Sequence, residues 1–453
     1  MLRSRLVIPC VCGVLLAAGS FAAAEEVANW PQFRGPNSDG VVAVGHLPAT
    51  WDATQNVRWR TDLAGRGWSS PVVWGNRVFL TTVVRLGDAE EPKRGLYFGG
   101  ERPEPPTDPH QWRVVCLDLD TGETLWDRLV HEGEPASSIH LKNSFASETP
   151  VVDAQRLYAY FGNLGVFCLD HDGEVLWEVP IEPSRMKLGW GTASSPALHD
   201  GVLYIVNDNE DASYILALDA ASGEARWKTD RDEPSNWATP YVWTNDQRTE
   251  IVTSGRNLAR SYDLAGNVLW ELGDNSSIAI PTPFAVDGLL YLTSGYVLDK
   301  RKPLYAIQSG ATGDITLPED ATSGGPIVWS QPDAGPYNTS PLVYDGLVYV
   351  LKDQGFLLCY DAATGEEVYD RQRLPEGRAF TASPWANDGH IFCLNEYGTT
   401  YVVRAGAEFE LLHTNSLDED AMCMATPAAV GNRLLIRTAT SLYCLEDGAT
   451  LDE

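Results

Sequence analysis

The sequence predicts an all-β protein, an eight-bladed β-propeller of four-stranded antiparallel blades, closed by an N-terminal strand that completes the last blade. Three observations predict it. First, a segment made of Ser/Thr-Pro, an apolar run, a tight turn and a second apolar run returns eight times. Its anchors are Pro71, Pro150, Pro196, Pro240, Pro283, Pro341, Pro384 and Pro427, spaced 79, 46, 44, 43, 58, 43 and 43 residues apart. That is a base period near 43 with two insertions, the length of one blade. Second, each segment is followed by a strand, a Gly-bearing turn and another strand, as in VVCLDLDTGETLW, VFCLDHDGEVLW, ILALDAASGEARW, ARSYDLAGNVLW, YAIQSGATGDITL and LLCYDAATGEEVY. Third, the eighth repeat ends at SLYCLED without a fourth strand, whereas NVRWRTDL stands ahead of the first repeat and carries Trp59 in the style of the later outer strands. Joining the two ends removes two open sheet edges.

From the N-terminus onward, residues 1–24 read as a secretory signal peptide. Arg3 and Arg5 give the positive start, Leu6 to Leu16 an apolar run too short to span a bilayer, and Ala22-Ala23-Ala24 the small residues of a cleavage site. Cleavage after Ala24 is expected, with the mature protein exported to the periplasm or the cell exterior. Residues 25–50 form an N-terminal docking segment and residues 51–447 the propeller, with an insertion at 83–111 in blade one. Residues 448–453 form a C-terminal tail. Within each repeat, Pro suits the first position of a strand, where no ladder N–H is lost. Trp59, Trp126, Trp177, Trp227 and Trp270 recur at matching positions of the outer strands and are expected to pack on the neighbouring blade, each burying about 150–250 Å².

Composition narrows the function. The chain of 453 residues has 33 Lys+Arg against 62 Asp+Glu, a formal charge of −29. Removing the signal peptide takes away two arginines and no acid, giving −31. Nucleic-acid binding and docking on anionic lipid are poor readings of such a chain, and no later apolar stretch is long enough for membrane insertion. A monomer is expected. Of the eight cysteines, Cys116, Cys168, Cys359 and Cys444 fill one repeat slot that elsewhere holds Ala217, Ser261 and Ala306. A slot that takes Ala, Ser or Cys is tight and buried, so free thiols are expected there. The eight histidines are scattered, and HExxH, GxSxG, P-loop and GxGxxG motifs are absent. No catalytic residue and no metal site is assigned. DLDTGE at Asp118 and DHDGE at Asp170 read as turns, since Leu129 and Ile181 stand where a calcium loop needs Glu.

LDLDTGETLW, LDAASGEARW and YDAATGEEVY resemble the tryptophan-docking repeat of pyrroloquinoline-quinone (PQQ) type β-propellers. That superfamily contains the quinoprotein alcohol dehydrogenases and the propeller lipoprotein of the outer-membrane barrel-assembly machinery. WPQFRGP, KNSFASETP, WGTASSP, SNWATP, IPTPFA and FTASPWA are similar, more narrowly, to exported bacterial PQQ-like propellers. The dehydrogenase branch implies a vicinal cysteine pair and a Trp on opposite faces of the quinone, beside a Ca²⁺ held by acidic and amide oxygens. This mature sequence has no adjacent cysteines.

Propeller geometry places the loops entering each first strand, and those between second and third strands, on one face around the axial channel. The long ones are the 83–111 insertion, NDNEDAS, GYVLDKRKP and the entry segments GEPASSIHLKNS, EPSRMKLGWG and SGGPIVWSQPDAGPYN. Long loops in compact domains are more often functional than idle. They carry the candidate ligand-binding residues Lys142, Asn143, Glu148, Trp190, Asp208, Asn209, Glu210, Trp237, Tyr337, Asn338, Lys352 and Arg378. Cations, carboxylates, amides and rings in this mix suit a small polar ligand, or else form a solvated channel rim. The expected function is a binding or scaffold module acting through the long-loop face, with a protein partner or a small polar ligand and no cofactor. One alternative is a PQQ- and Ca-dependent dehydrogenase. A second is carbohydrate binding through Trp190 and Trp237.

Overall fold

The computed structural model describes residues 29–88, 91–97, 99–102, 104–417 and 422–451. The expected signal peptide lies outside the described residues. The described chain is eight small antiparallel sheets arranged as blades, with a single three-residue 3₁₀ turn, Lys187–Gly189. Blade eight is closed as the sequence implies. Gln55–Asp62 pairs antiparallel with Ser441–Thr450, setting Trp59 opposite Cys444. That last strand runs on to Thr450, so residues 448–450 belong to the sheet rather than to a tail. Gly448 makes the extension, at φ +78° with its N–H given to Asn56 Oδ1. The blade-one insertion is likewise shorter than 83–111. Val83, Val84 and Arg85 pair with Trp112, Gln111 and His110, extending the two strands beneath it.

Turn chemistry explains the outer hairpins. Asp118, Asp170, Asp219, Asp263 and Asp361 each turn a carboxylate back onto backbone N–H groups two to four residues ahead. The glycine that follows at positive φ is where the neighbouring blade's Trp lands. Trp59 lies on Gly122, Trp126 on Gly173, Trp177 on Gly223 and Trp227 on Gly266, where an added Cβ would stand 2.5–2.8 Å from the ring. Each indole Nε1 also donates to a carbonyl of that turn, from 2.9 to 3.3 Å.

Trp270 departs from this pattern. Its indole donates to the fully buried Glu250 Oε2 within its own blade, at 2.8 Å. The cause lies in blade five, where the expected outer strand in GATGDITL does not form. Gly313–Asp314 instead adds a parallel fifth strand to blade four, beside Trp270. Ile327–Gln331 becomes the outer strand of blade five. Its Trp329 docks on Gly365 and donates to Ala362 O at 3.0 Å.

A belt of hydroxyls stitches the first strands together. At six of the eight blade junctions, the N–H of the residue before the entry proline donates to the hydroxyl of its counterpart in the next blade. Ser70 gives to Thr149, Thr149 to Ser195 and Ser195 to Thr239; Thr282 gives to Ser340, Ser340 to Ser383 and Ser383 to Thr426, at 2.9–3.1 Å. These hydroxyls satisfy buried amides and are therefore spent on the ring.

Residues 29–50 cross the channel mouth on the short-turn face. Trp30 exchanges two backbone hydrogen bonds with Val73, Pro31 O accepts Val152 N–H, and Val42 N–H reaches Ala386 O. Between them, the fully buried Arg34 donates to Asp39 O and Pro341 O and lies 5.0 Å from the Phe284 ring centroid. Burial lowers its pKa to about 10. This segment therefore contacts the first strands of blades one, two, five, six and seven.

Candidate functional site

The long-loop face gathers most of the polar residues flagged from sequence, but the structure spends many of them internally. The mouth of the channel has two halves. On one side, Trp190, Trp237 and Tyr337 join Met186, Ile278 and Tyr296 in an apolar cluster. The Trp190 and Trp237 ring centroids are 5.7 Å apart, and those of Tyr296 and Tyr337 are 5.4 Å apart. Trp237 Nε1 donates to Gly191 O at 2.7 Å. Asn338, half-buried, follows Tyr337 at the edge of this cluster.

On the other side, Lys142 Nζ bonds Glu396 Oε1 at 2.5 Å and Gly95 O at 3.1 Å. Glu396 also accepts the Gly95 N–H and the Thr381 hydroxyl, at 2.9 and 2.8 Å. Lys142 comes from the entry to blade two, Glu396 from the inter-strand loop of blade seven and Gly95 from the insertion. Three distant loops thus meet over the axis. Leu141 N–H to Gly100 O, at 2.8 Å, holds the insertion to blade two. Arg378 is exposed, with its guanidinium 5.3 Å from the Tyr397 ring centroid beside this knot.

The remaining flagged residues support loops. Asn143 donates to Trp190 O and Thr192 O, at 2.8 and 3.2 Å. Asn209 Oδ1 accepts the N–H groups of Asp211 and Ala212, and Glu210 Oε1 accepts from Ser235. Lys352 Nζ donates to Asp333 O and Gly335 O; burial lowers its pKa to about 8. Asp208 forms a two-pronged pair with Arg231, at 2.7 and 2.9 Å, with both side chains fully buried. Arg231, Glu396 and Glu250 were not flagged from sequence. A lone Arg in KTDRDEP is a faint signal for the first, and nothing local marks the other two.

Glu148 is buried at the interface of blades two and three. Its Oε1 accepts the Gly162 N–H at 3.1 Å, and burial raises its pKa to about 7 against those hydrogen bonds. An acid whose folded pKa exceeds its unfolded value stabilises fully below the unfolded pKa and loses that contribution as pH rises through the folded one. The stability difference between Glu148→Gln and wild type should therefore grow between pH 4.5 and pH 7 by on the order of 3 kcal/mol, then stay flat. Urea unfolding of both proteins across that range checks this; a constant difference would contradict it.

The chemistry open to the mouth is limited. The six cysteines of the described chain are free and buried, and burial pushes the Cys116 and Cys423 thiols up to about 12. Among the described residues no group of three or more His, Cys, Asp and Glu is placed to hold a metal ion. The space between Tyr160, Met186, Thr192, Asn207, Asp208 and Asn236 is about 10 Å³, room for one water. That space is too small for a tricyclic quinone, and the Asp208 carboxylate beside it is committed to Arg231. Larger clefts lie off the axis, beneath the insertion, with volumes of about 640 and 770 Å³.

Comparison with known proteins agrees with this geometry. A family model described as outer membrane protein assembly factor BamB matches residues 33–181, 110–271, 162–315 and 311–404. BamB of Yersinia pestis is 24% identical over 333 residues, covering 64% of this chain and 79% of that protein. BamB of Burkholderia pseudomallei (strain K96243) is 29% identical over 186 residues, 36% of this chain and 45% of that protein. Among solved structures, BamB from Moraxella catarrhalis covers 83% of this chain and 100% of its own at a TM-score of 0.50 and 12% identity. The quinohemoprotein alcohol dehydrogenase of Comamonas testosteroni covers 94% of this chain and 82% of its own, at 0.58 and 13%. Likeness at such identities shows the shared fold alone. With PQQ-like repeats throughout and BamB-like relatives, the protein is a propeller scaffold or binding module, and the dehydrogenase alternative has the weaker support.

Proposed function

Because the chain belongs to the family of outer membrane protein assembly factor BamB, we propose that it is an exported scaffold that docks a protein partner in outer-membrane assembly through its long-loop face. The observation that carries this reading is the state of the two mouths. The short-turn mouth is covered by residues 29–50, and that face carries the exposed turn carboxylates Asp200, Asp287, Asp345 and Asp388. The long-loop mouth is filled by the chain's own side chains, yet it presents apolar groups outward. Leu188 is 61% and Leu298 67% exposed, and Leu188 is held at φ +52°, a costly conformation for a leucine. Lys187 is within electrostatic reach of Asp299, so the two loop tips are neighbours. Exposed apolar side chains grouped at a loop cluster suit a protein contact. Among the described residues no helix is long and apolar enough to cross a membrane.

Genetic complementation tests the proposal. A strain lacking the protein should lose β-barrel proteins from its outer membrane. Wild type should restore them, and Leu188→Asp/Leu298→Asp, with an unchanged thermal midpoint, should not. Full restoration by the double variant would overturn the assignment of this face. Adding PQQ and Ca²⁺ to the purified protein should give neither a quinone absorbance shift on binding nor dye-linked alcohol oxidation; turnover would favour the dehydrogenase reading instead.

A further inference from the structure

We propose that the cleft beneath the insertion, between blades eight, one and two, binds a small monoanion with an apolar body, such as an aryl or acyl carboxylate. The cleft has a volume of about 640 Å³, within the range of small-molecule sites. None of the twelve residues flagged from sequence lines it, and its occupant would be independent of the protein partner proposed above.

The walls are apolar: Val83 and Val84 from the second strand of blade one face Leu141 and Phe145 from the entry to blade two. Arg66, Arg85 and His110 are grouped among them. In a chain of net charge −29 this is an unusual grouping. The three are close enough to repel. Arg85 lowers the pKa of Arg66, and both arginines lower that of His110, in each case on top of the larger effect of burial. Asp108 neutralises Arg85 through a hydrogen bond of 2.9 Å to its Nε. Among the described residues, Arg66 is served less well. Its carboxylate neighbour, Glu91, stands 4.0 Å away on a side chain that is 83% exposed. That distance is too long for a hydrogen bond and the exposure leaves the pair weak. A carboxylate entering from solvent would supply the charge-assisted bonds that Glu91 does not.

The roof sets the upper limit on charge. Asp88, Glu91 and Glu104 line the cleft from the insertion, beside Arg102, and a polyanion would meet three carboxylates as well as Arg66 and Arg102. One negative group, with an apolar remainder against Val84 and Phe145, satisfies both halves. His110 belongs to the apolar wall and gives the anion no donor. Its Nδ1 lies 2.7 Å from Asp108 O, and its ring packs edge-on against Phe145. Nδ1 must be the protonated nitrogen, so the neutral ring keeps its other nitrogen as an acceptor.

The test uses 1-anilinonaphthalene-8-sulfonate as a fluorescent monoanion and its uncharged relative N-phenyl-1-naphthylamine, on the full mature protein. Wild type should bind the sulfonate saturably at one site, with laurate competing. Arg66→Met should weaken it at least tenfold at an unchanged thermal midpoint, while leaving the uncharged probe unaffected. Val84→Trp, which fills the cleft beside Arg66, should abolish sulfonate binding, and it decides the matter if Arg66→Met does not fold. Four results would overturn the proposal: no saturable binding, undiminished binding in Arg66→Met or Val84→Trp, equal loss of both probes in Arg66→Met, or loss in Leu188→Asp/Leu298→Asp. The last would place the probe on the exposed rim, leaving the docking proposal untouched.

Discussion

Deletion of residues 51–65 will leave a protein without a cooperative unfolding transition, recovered as aggregate or as a loose, ANS-binding species. The deleted stretch contains Gln55–Asp62, the outer strand of blade eight. Its loss uncovers ten residues of the Ser441–Thr450 edge, a ready template for pairing with another chain. It also removes Trp51, Val57 and Trp59, all buried in the largest hydrophobic cluster, which joins blades seven, eight and one. Trp59 is the contact that seats blade eight on Gly122 of blade one, so the ring is cut at the point where the chain ends meet. Truncating one buried Trp costs about 3–5 kcal/mol, and a whole domain is stable by about 5–15 kcal/mol. Two such groups, together with Val57 and an exposed sheet edge, reach that margin. Calorimetry and size-exclusion chromatography give the readout. A soluble monomer with a single sharp transition would mean that the ring does not depend on this strand.

The features legible in the sequence are those written with a local period. Entry prolines, Asp-bearing turns and outer-strand tryptophans recur because every blade solves the same packing problem. Eight blades and their closure could therefore be read without coordinates. Blade five was misread because GATGDITL copies the turn pattern of its neighbours, while the choice to pair Gly313–Asp314 with blade four is made across a blade boundary. Trp270 looked like the other docking residues for the same reason; its partner Glu250 lies 20 positions back, on a strand whose local pattern gives no hint of a buried acid. The segment 29–50 has no period at all, and its partners lie up to 386 residues away. The site shows the limit most clearly. Sequence identified side chains by type, but a charge on a loop is free or spent only according to what faces it. Lys142 was flagged as a ligand contact, whereas its carboxylate partner comes from the other end of the chain.

That partner leads to a large single-residue effect. Glu396 is 1% exposed and Lys142 17%, and their pair is separated by 254 positions. Lys142→Met should destabilise the protein by about 3–5 kcal/mol, because it strands a carboxylate where water cannot reach it. Glu396→Gln should cost less, since Lys142 keeps Gly95 O and some solvent. The double variant Lys142→Met/Glu396→Gln should recover much of the first loss, because a neutral amide still accepts the Gly95 N–H and leaves no uncompensated charge. Coupling in that cycle of about 2 kcal/mol or more separates a true pair from two independent losses. Limited proteolysis supplies the second readout. With Gly95 tied to both partners, Lys142→Met should speed cleavage within residues 86–109, and the double variant should slow it again. Additive losses with no change in cleavage would mean that the insertion is held by blade two alone, through Leu141 and Gly100, and that the knot over the axis contributes little to closing the mouth.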